Sequence, residues 1–297
     1  MLASVGAYIA SDRQLLTPFG QIITITGVYH VPACHVSIDA VLSNTNPTAP
    51  YRGAGRPEAI YLMERIIEAA AEELGIDRIE LRKRNVIQPD QMPYKAPLGQ
   101  VYDSGTFAEN MDIALRTTDY AGFAARRDAS RARGKLRGFA LVNAIEQAAG
   151  PVPEYAEVRF QPSGSALLLM GTKTHGQGHE TMYKQILHEK LGTAANEIRF
   201  IDGDTDRVAF GMGSNGSRSM VTGGTALTMA AEKLIVKGKK LAAHMLEAAE
   251  ADITFADNAF SVAGTDKKVT LKQVAMASFQ PARLPKGMEP GLSLIHI

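Results

Sequence analysis

Tyr51-Arg52-Gly53-Ala54-Gly55-Arg56-Pro57-Glu58 joins a glycine-rich turn to the start of a helix. Pro57 sits where its missing N–H is harmless, and Ile60, Met63, Ile67, Ala70 and Leu74 recur at three and four until Gly75. Glycines let backbone N–H groups approach a ligand closely, and a helix start adds free donors and a positive dipole end. Such a junction favours phosphate, and Arg52 and Arg56 offer the forked donors that a phosphate ester needs. Two further stretches repeat the design: His175-Gly176-Gln177-Gly178-His179 and Gly211-Met212-Gly213-Ser214-Asn215-Gly216-Ser217-Arg218-Ser219. Each also leads into a predicted helix. The alternative is that all three are ordinary glycine turns.

Working outward, the β-branched run over 21–28 predicts a strand, and 36–42 predicts another. Asp77 with Glu80 has the spacing of a capping box. Pro89, Pro93, Pro97, Gly99 and Gly105 mark an irregular connection, where we place the domain boundary. Thr106 begins a helix to Leu115, and 121–133 predicts an arginine-rich helix whose interleaved Asp128 and alanines suit a solvated face better than a nucleic-acid contact. Residues 154–160 and 166–170 flank Gln161-Pro162-Ser163-Gly164 as a hairpin. A helix over 182–191 follows, and then a long one to about 249 with Leu227, Ala231, Leu234, Gly238, Leu241 and Met245 on one face. The fold class is α+β, or mixed α/β. The last residues, 286–297, follow a loop without an element to finish and are expected to be an artefactual tail outside the fold.

Composition narrows the function. Lys+Arg 32 against Asp+Glu 31 gives a net charge of +1, so no global field draws the chain to nucleic acid or an acidic membrane surface. The single cysteine, Cys34, excludes a disulfide framework and an iron–sulfur cluster, which takes about four cysteine ligands. No stretch approaches the roughly 18 apolar residues of a membrane span, and no signal peptide is seen, so a cytoplasmic location is expected. His175 and His179 with Glu180 invite a zinc reading, but Gly176 and Gly178 keep the histidines off one helical face. Asp202-Gly203-Asp204-Thr205-Asp206 alternates acids like a calcium loop, yet Gly213 stands where the closing Glu belongs, which leaves a strand-end turn.

Ala49-Pro50-Tyr51-Arg52-Gly53-Ala54-Gly55-Arg56-Pro57-Glu58-Ala59 resembles the active-site loop of the xanthine dehydrogenase, aldehyde oxidase and carbon monoxide dehydrogenase family of molybdenum hydroxylase large subunits, closest to its form II members. Gly176-Gln177-Gly178-His179-Glu180-Thr181 and Gly216-Ser217-Arg218-Ser219 are similar to that family's two cofactor segments, in the same order, and the likeness covers essentially residues 1–285. The resemblance implies two molybdopterin-binding domains: 1–100 as the end of the first and 101–285 as the start of the second. It implies molybdenum–molybdopterin, as the cytosine dinucleotide, and hydroxylation of an aldehyde, purine or N-heteroarene carbon with oxygen from water. Electrons would pass to an iron–sulfur small subunit and an FAD-binding medium subunit, in a dimer of heterotrimers.

By the same resemblance Arg52, the expected catalytic residue of this chain, would lie beside the metal, with Gly53 and Ala54 on the substrate side and Arg52 and Gly53 both in contact with the cofactor. Gly176, Gln177, Gly178, His179 and Thr181 would bind the pterin or its pyrophosphate. Gly216 would bring its backbone near molybdenum without ligating it, and Ser217, Arg218 and Ser219 would donate to phosphate. Two departures matter: Gly53 stands where carbon monoxide dehydrogenases carry a cysteine, and the family's catalytic glutamate lies beyond Ile297. The chain by itself is therefore expected to be inactive. A non-catalytic nucleotide- or phosphate-binding module is the alternative reading.

Overall fold

Where the sequence changes period, the computed structural model changes element; it describes residues 2–11, 14–19, 22–148 and 153–296. Packing divides the chain into two units, Met1–Glu146 and Gln147–Ile297.

In the first unit β1 (Leu2–Ser4) pairs in parallel with β2 (Asp39–Val41), and a four-residue helix α1 (Leu16–Phe19) lies between them in sequence. Helix α2 (Arg56–Leu74) begins after Gly55 and stops at left-handed Gly75, where the Ile76 N–H returns to the Ala71 carbonyl at 3.0 Å. Asp77 caps α3 (Arg78–Asn85) through the N–H groups of Ile79 and Glu80. The Glu80 side chain does not close the predicted capping box; it accepts from Arg84 at 2.8 Å. The irregular connection holds a two-residue hairpin, β3 (Tyr94–Lys95) with β4 (Val101–Tyr102). Helices α4 (Phe107–Thr117) and α5 (Phe123–Arg131) follow.

The strand predicted over 21–28 does not form in the described residues. Ile22–Thr24 is a 3-10 turn and the chain keeps turning to Val28, with Gly27 at φ 57. Val28 and Tyr29 are apolar because they are buried beside Ile67, Val86 and Met111, not because they are extended. The expected boundary near 100 also differs from the packing. Tyr102 Oη donates to the Gly27 carbonyl at 2.8 Å, Met111 joins the Tyr29 cluster, and the Asn143 N–H donates to Glu64 at 3.0 Å. Residues 101–146 therefore pack with the first unit.

The second unit is built on β5 (Ala156–Phe160), β6 (Ala166–Met170) and β7 (Ile198–Asp202). β5 and β6 form the predicted antiparallel hairpin, and β6 runs parallel to β7 by way of α6 (His179–Leu191). Every residue of β6 is buried, as suits a strand covered on both faces. Helix α7 (Thr225–Leu246) supplies Leu227, Ala230, Ala231, Leu234 and Leu241 to the main core. A second sheet, in the order β10 (Lys268–Thr270), β9 (Ala259–Val262), β8 (Ile253–Ala256), and helix α8 (Leu271–Ala277) pack on it. Residues 286–297, expected to lie outside the fold, contribute to it: β11 (Ser293–His296) pairs antiparallel with β5, and Leu292 is fully buried in the core.

Gly238 lies in the middle of α7, where a Cβ would meet the Phe260 ring, with Cε1 and Cε2 both at 3.2 Å. Phe260 is fully buried against Phe255 and has nowhere to retreat. Gly238→Ala gains about 1 kcal/mol of helix propensity but overpacks by about 1–3 kcal/mol. A net loss of up to about 2 kcal/mol in urea unfolding is expected; a more stable variant would show that the ring yields.

Candidate functional site

Parallel strands joined by a helical crossover leave a crevice beyond their carboxyl ends, where the backbone turns into helix starts. β6 and β7 end in this way. The chain leaves β6 through 171–178 into α6, and leaves β7 through 203–218 into a π-helical segment, Ser219–Gly224, that continues as α7. The two loops are tied together, since Ser214 Oγ donates to the Lys173 carbonyl at 2.5 Å and accepts the Lys173 N–H at 3.1 Å. Asp202, the last residue of β7, accepts both the Thr174 N–H and its hydroxyl at 2.7 Å. The strand-end turn read at 202–206 is present, with Asp204 accepting the Asp206 N–H at 3.1 Å.

Between the loops lies a cavity of about 470 Å³, lined by His175, Gln177, His179, Gly216, Ser217 and Ser219 among others. Gln177 and the 216–219 turn, 39 or more residues apart in sequence, thus meet at one place. Gly216 and Ser217 both take left-handed backbone, at φ 58 and φ 56. For a serine that conformation costs roughly 1–2 kcal/mol, and such strain collects at functional turns. A Cβ on Gly216 would meet no protein atom within 4 Å, so the backbone faces open space.

Arg218 also lines this cavity, but its side chain is engaged elsewhere. Its guanidinium is turned inward, 3% exposed, donating to the fully buried Glu154 carboxylate and to the Pro153 carbonyl at 2.9 Å. A buried carboxylate needs a countercharge, and Arg218 supplies it; the residue anchors the turn where a phosphate donor was expected. Thr181 is exposed in the first turn of α6 and does not line the cavity. Tyr183, which sequence reasoning passed over, donates from Oη to the Ser219 carbonyl at 2.8 Å and faces Thr172 Oγ1 at 3.0 Å. Burial pushes its phenol up to about 12, so it remains a donor and fixes the start of the π segment. His179 is 2% exposed; burial holds its imidazole below the usual histidine range, opposed by the nearby Asp202 carboxylate. Among the described residues no group of three or more His, Cys, Asp or Glu is placed to hold a metal ion, and Cys34 is half-buried.

In the first unit Arg52 is exposed at the tip of the turn preceding α2. Gly53, Ala54 and Gly55 all have positive φ, at 91, 44 and 91. Arg56 folds back to Glu146, Nε to Oε1, at 2.9 Å. A Cβ on Gly53 would lie 2.8 Å from Pro57 Cδ, so this position is glycine for a steric as well as a backbone reason. Gly53→Cys is expected to destabilise the unit by about 1–3 kcal/mol, read as a lower urea midpoint. An unchanged midpoint would show that the loop reshapes freely.

The chain is similar to known proteins along its whole length. Profiles of the family described as molybdopterin cofactor-binding domain match residues 1–86 and 113–294. The carbon monoxide dehydrogenase large chain of Afipia carboxidovorans is 38% identical, over 100% of this chain and 39% of its own length. The nicotine 6-hydroxylase large subunit of Paenarthrobacter nicotinovorans is 32% identical, over 91% of this chain and 35% of its own length. The solved quinoline 2-oxidoreductase of Pseudomonas putida superposes with a TM-score of 0.85 at 31% identity, over 99% of this chain and 39% of that one. The chain thus spans about two fifths of the length of these relatives. Among the described residues no helix is long and apolar enough to cross a membrane. With both family profiles matched and this identity over its whole length, the chain belongs to the molybdopterin-binding large subunits of the xanthine dehydrogenase, aldehyde oxidase and carbon monoxide dehydrogenase family.

Proposed function

We propose that this chain is the molybdopterin-holding part of a cytoplasmic hydroxylase that adds a water-derived oxygen to an electron-poor carbon, with N-heteroarenes preferred over aldehydes and purines. The observation that carries the reading is the cavity where Gln177 and the 216–219 turn meet beyond β6 and β7. Its residues fit the cofactor: a carboxamide, the hydroxyls of Ser217 and Ser219, helix-start N–H groups, and an open glycine backbone at Gly216. When bound, the cofactor supplies a redox metal centre that accepts two electrons from the substrate carbon. Gln177 would hold the pterin edge. Ser217, Ser219 and the backbone around Gly216 would hold the phosphates, which prefer such unpaired donors; the cytosine dinucleotide form is our reading. Gly176 and Gly178 keep the Gln177 segment slim enough for close approach. On the first unit, Arg52 and Gly53 are assigned to cofactor binding by their likeness to the family's loop.

Names of relatives support the substrate class: a nicotine hydroxylase and a quinoline oxidoreductase both act on N-heteroarenes. Carbon monoxide is disfavoured, because Gly53 has no thiol and its left-handed backbone beside Pro57 resists a side chain there. Iron–sulfur and FAD subunits are the proposed electron acceptors, in a dimer of heterotrimers. We further read 1–100 and 101–285 as parts of two family domains.

The test is to incubate the holoenzyme containing this chain with an N-heteroarene, an aldehyde, a purine or carbon monoxide, an artificial electron acceptor and ¹⁸O-labelled water. Labelled hydroxylated heteroarene, with no carbon monoxide turnover, is expected. Unlabelled hydroxylated product, or turnover of carbon monoxide alone, would overturn the proposal.

A further inference from the structure

His179 is nearly fully buried, yet its Nδ1 has no hydrogen-bond partner; the nearest carboxylate oxygen, Asp202 Oδ2, is 3.8 Å away. Its Nε2 lies 3.0 Å from Gln177 Nε2. Which of these atoms donates follows from their other contacts. The Gln177 carboxamide has an oxygen that only accepts and a nitrogen that only donates. The His175 backbone N–H meets Gln177 Oε1, and the Lys173 carbonyl meets Gln177 Nε2 at 3.2 Å. A backbone N–H can only donate and a carbonyl can only accept, so these two contacts fix the amide orientation without reference to the histidine. The group aimed at the imidazole is therefore an N–H donor. His179 Nε2 must then carry its lone pair, and the ring proton belongs on Nδ1, toward Asp202.

We propose that His179 is a positioning residue: its imidazole, held as the Nδ1–H tautomer beside Asp202, accepts from the Gln177 carboxamide and aims that side chain into the cavity. This rests on the reading of Gln177 as a cofactor residue and changes the part given to His179. The groups facing the ring are Asp202 at the end of β7, His175 in the preceding loop and Tyr183 on α6, whose ring centre is 5.3 Å from that of His179. The carboxylate favours a proton on the near nitrogen. Burial disfavours a second proton on the ring, which would turn Nε2 into a donor facing a donor.

Two variants separate positioning from bulk. In His179→Gln the side-chain oxygen reaches the place of Nε2 and still accepts from Gln177; in His179→Asn the side chain is too short to do so. Molybdenum and pterin retained per protein are measured in the holoenzyme, and the imidazole tautomer by ¹⁵N NMR of the chain labelled at histidine. We expect an Nδ1–H tautomer, retention within about twofold of wild type for His179→Gln, and a loss of about tenfold for His179→Asn, the worth of one such hydrogen bond. An Nε2–H tautomer, or equal retention in the two variants, would overturn the inference. If wild type itself holds no pterin, the cofactor reading fails, and the tautomer alone decides the His179–Gln177 contact.

Discussion

Arg82→Leu is expected to lower the unfolding free energy of the first unit by about 3–5 kcal/mol, the usual loss when one partner of a buried ion pair is removed. The Arg82 side chain is 0% exposed and that of Glu64 4%, and they meet through Nη2 and Nε at 2.8 and 2.9 Å. Further polar groups close around them. Tyr29 Oη donates to Glu64 Oε1 at 2.6 Å, Asn143 Nδ2 donates to Tyr29 Oη at 2.8 Å, and Arg82 Nη1 meets Glu68 at 2.8 Å. This network joins α2, α3 and the segment around Asn143, so leucine at 82 would strand a carboxylate that water cannot reach. Changing Glu64 to glutamine as well removes the uncompensated charge, and Arg82→Leu/Glu64→Gln is expected to recover part of the loss. Urea unfolding followed by circular dichroism checks both. A loss under about 1 kcal/mol for the single variant would mean the carboxylate finds solvent.

Gly216→Val is expected to reduce cofactor retention more than tenfold while the chain still folds. The physical reason is the separation between room for protein and room for ligand. A Cβ at 216 clashes with nothing in the chain, but it fills the space that the backbone presents to the cavity. Left-handed backbone with a branched side chain adds strain of roughly 1–3 kcal/mol, which a thermal melt would register as a modest shift. Ser217→Ala removes one hydroxyl without touching the backbone and should lose a smaller share of cofactor. If both variants purify with full molybdenum and pterin, the 216–219 turn does not hold the cofactor.

Much of this was legible before any coordinates. The three-and-four spacing of Leu227, Ala231, Leu234 and Leu241 announces a helix with one face in a core, and those residues are buried. Gly75 reads as a helix end and serves as one, in left-handed backbone. The three glycine-rich junctions lead into helices as expected, because positive φ and a helix start are local properties that a short sequence can specify. What stayed hidden depends on distant partners. Nothing near Arg218 reveals that Glu154, 64 residues earlier, claims its guanidinium. The run over 21–28 looked like a strand because burial selects the same β-branched residues that extended backbone does. Asp202 read only as a turn residue, since its contact with Thr174 and its approach to His179 arise from the crossover between β6 and β7.

The central claim is that the 175–179 and 213–219 loops hold one molybdopterin cofactor between them. Hydrogen–deuterium exchange on the holoenzyme, cofactor-loaded against cofactor-stripped, tests it most directly. The account predicts slower exchange on loading in peptides covering 173–180 and 213–224, with β8, β9 and β10 unchanged. Protection confined to other segments, with these two loops exchanging at equal rates in both states, would contradict it.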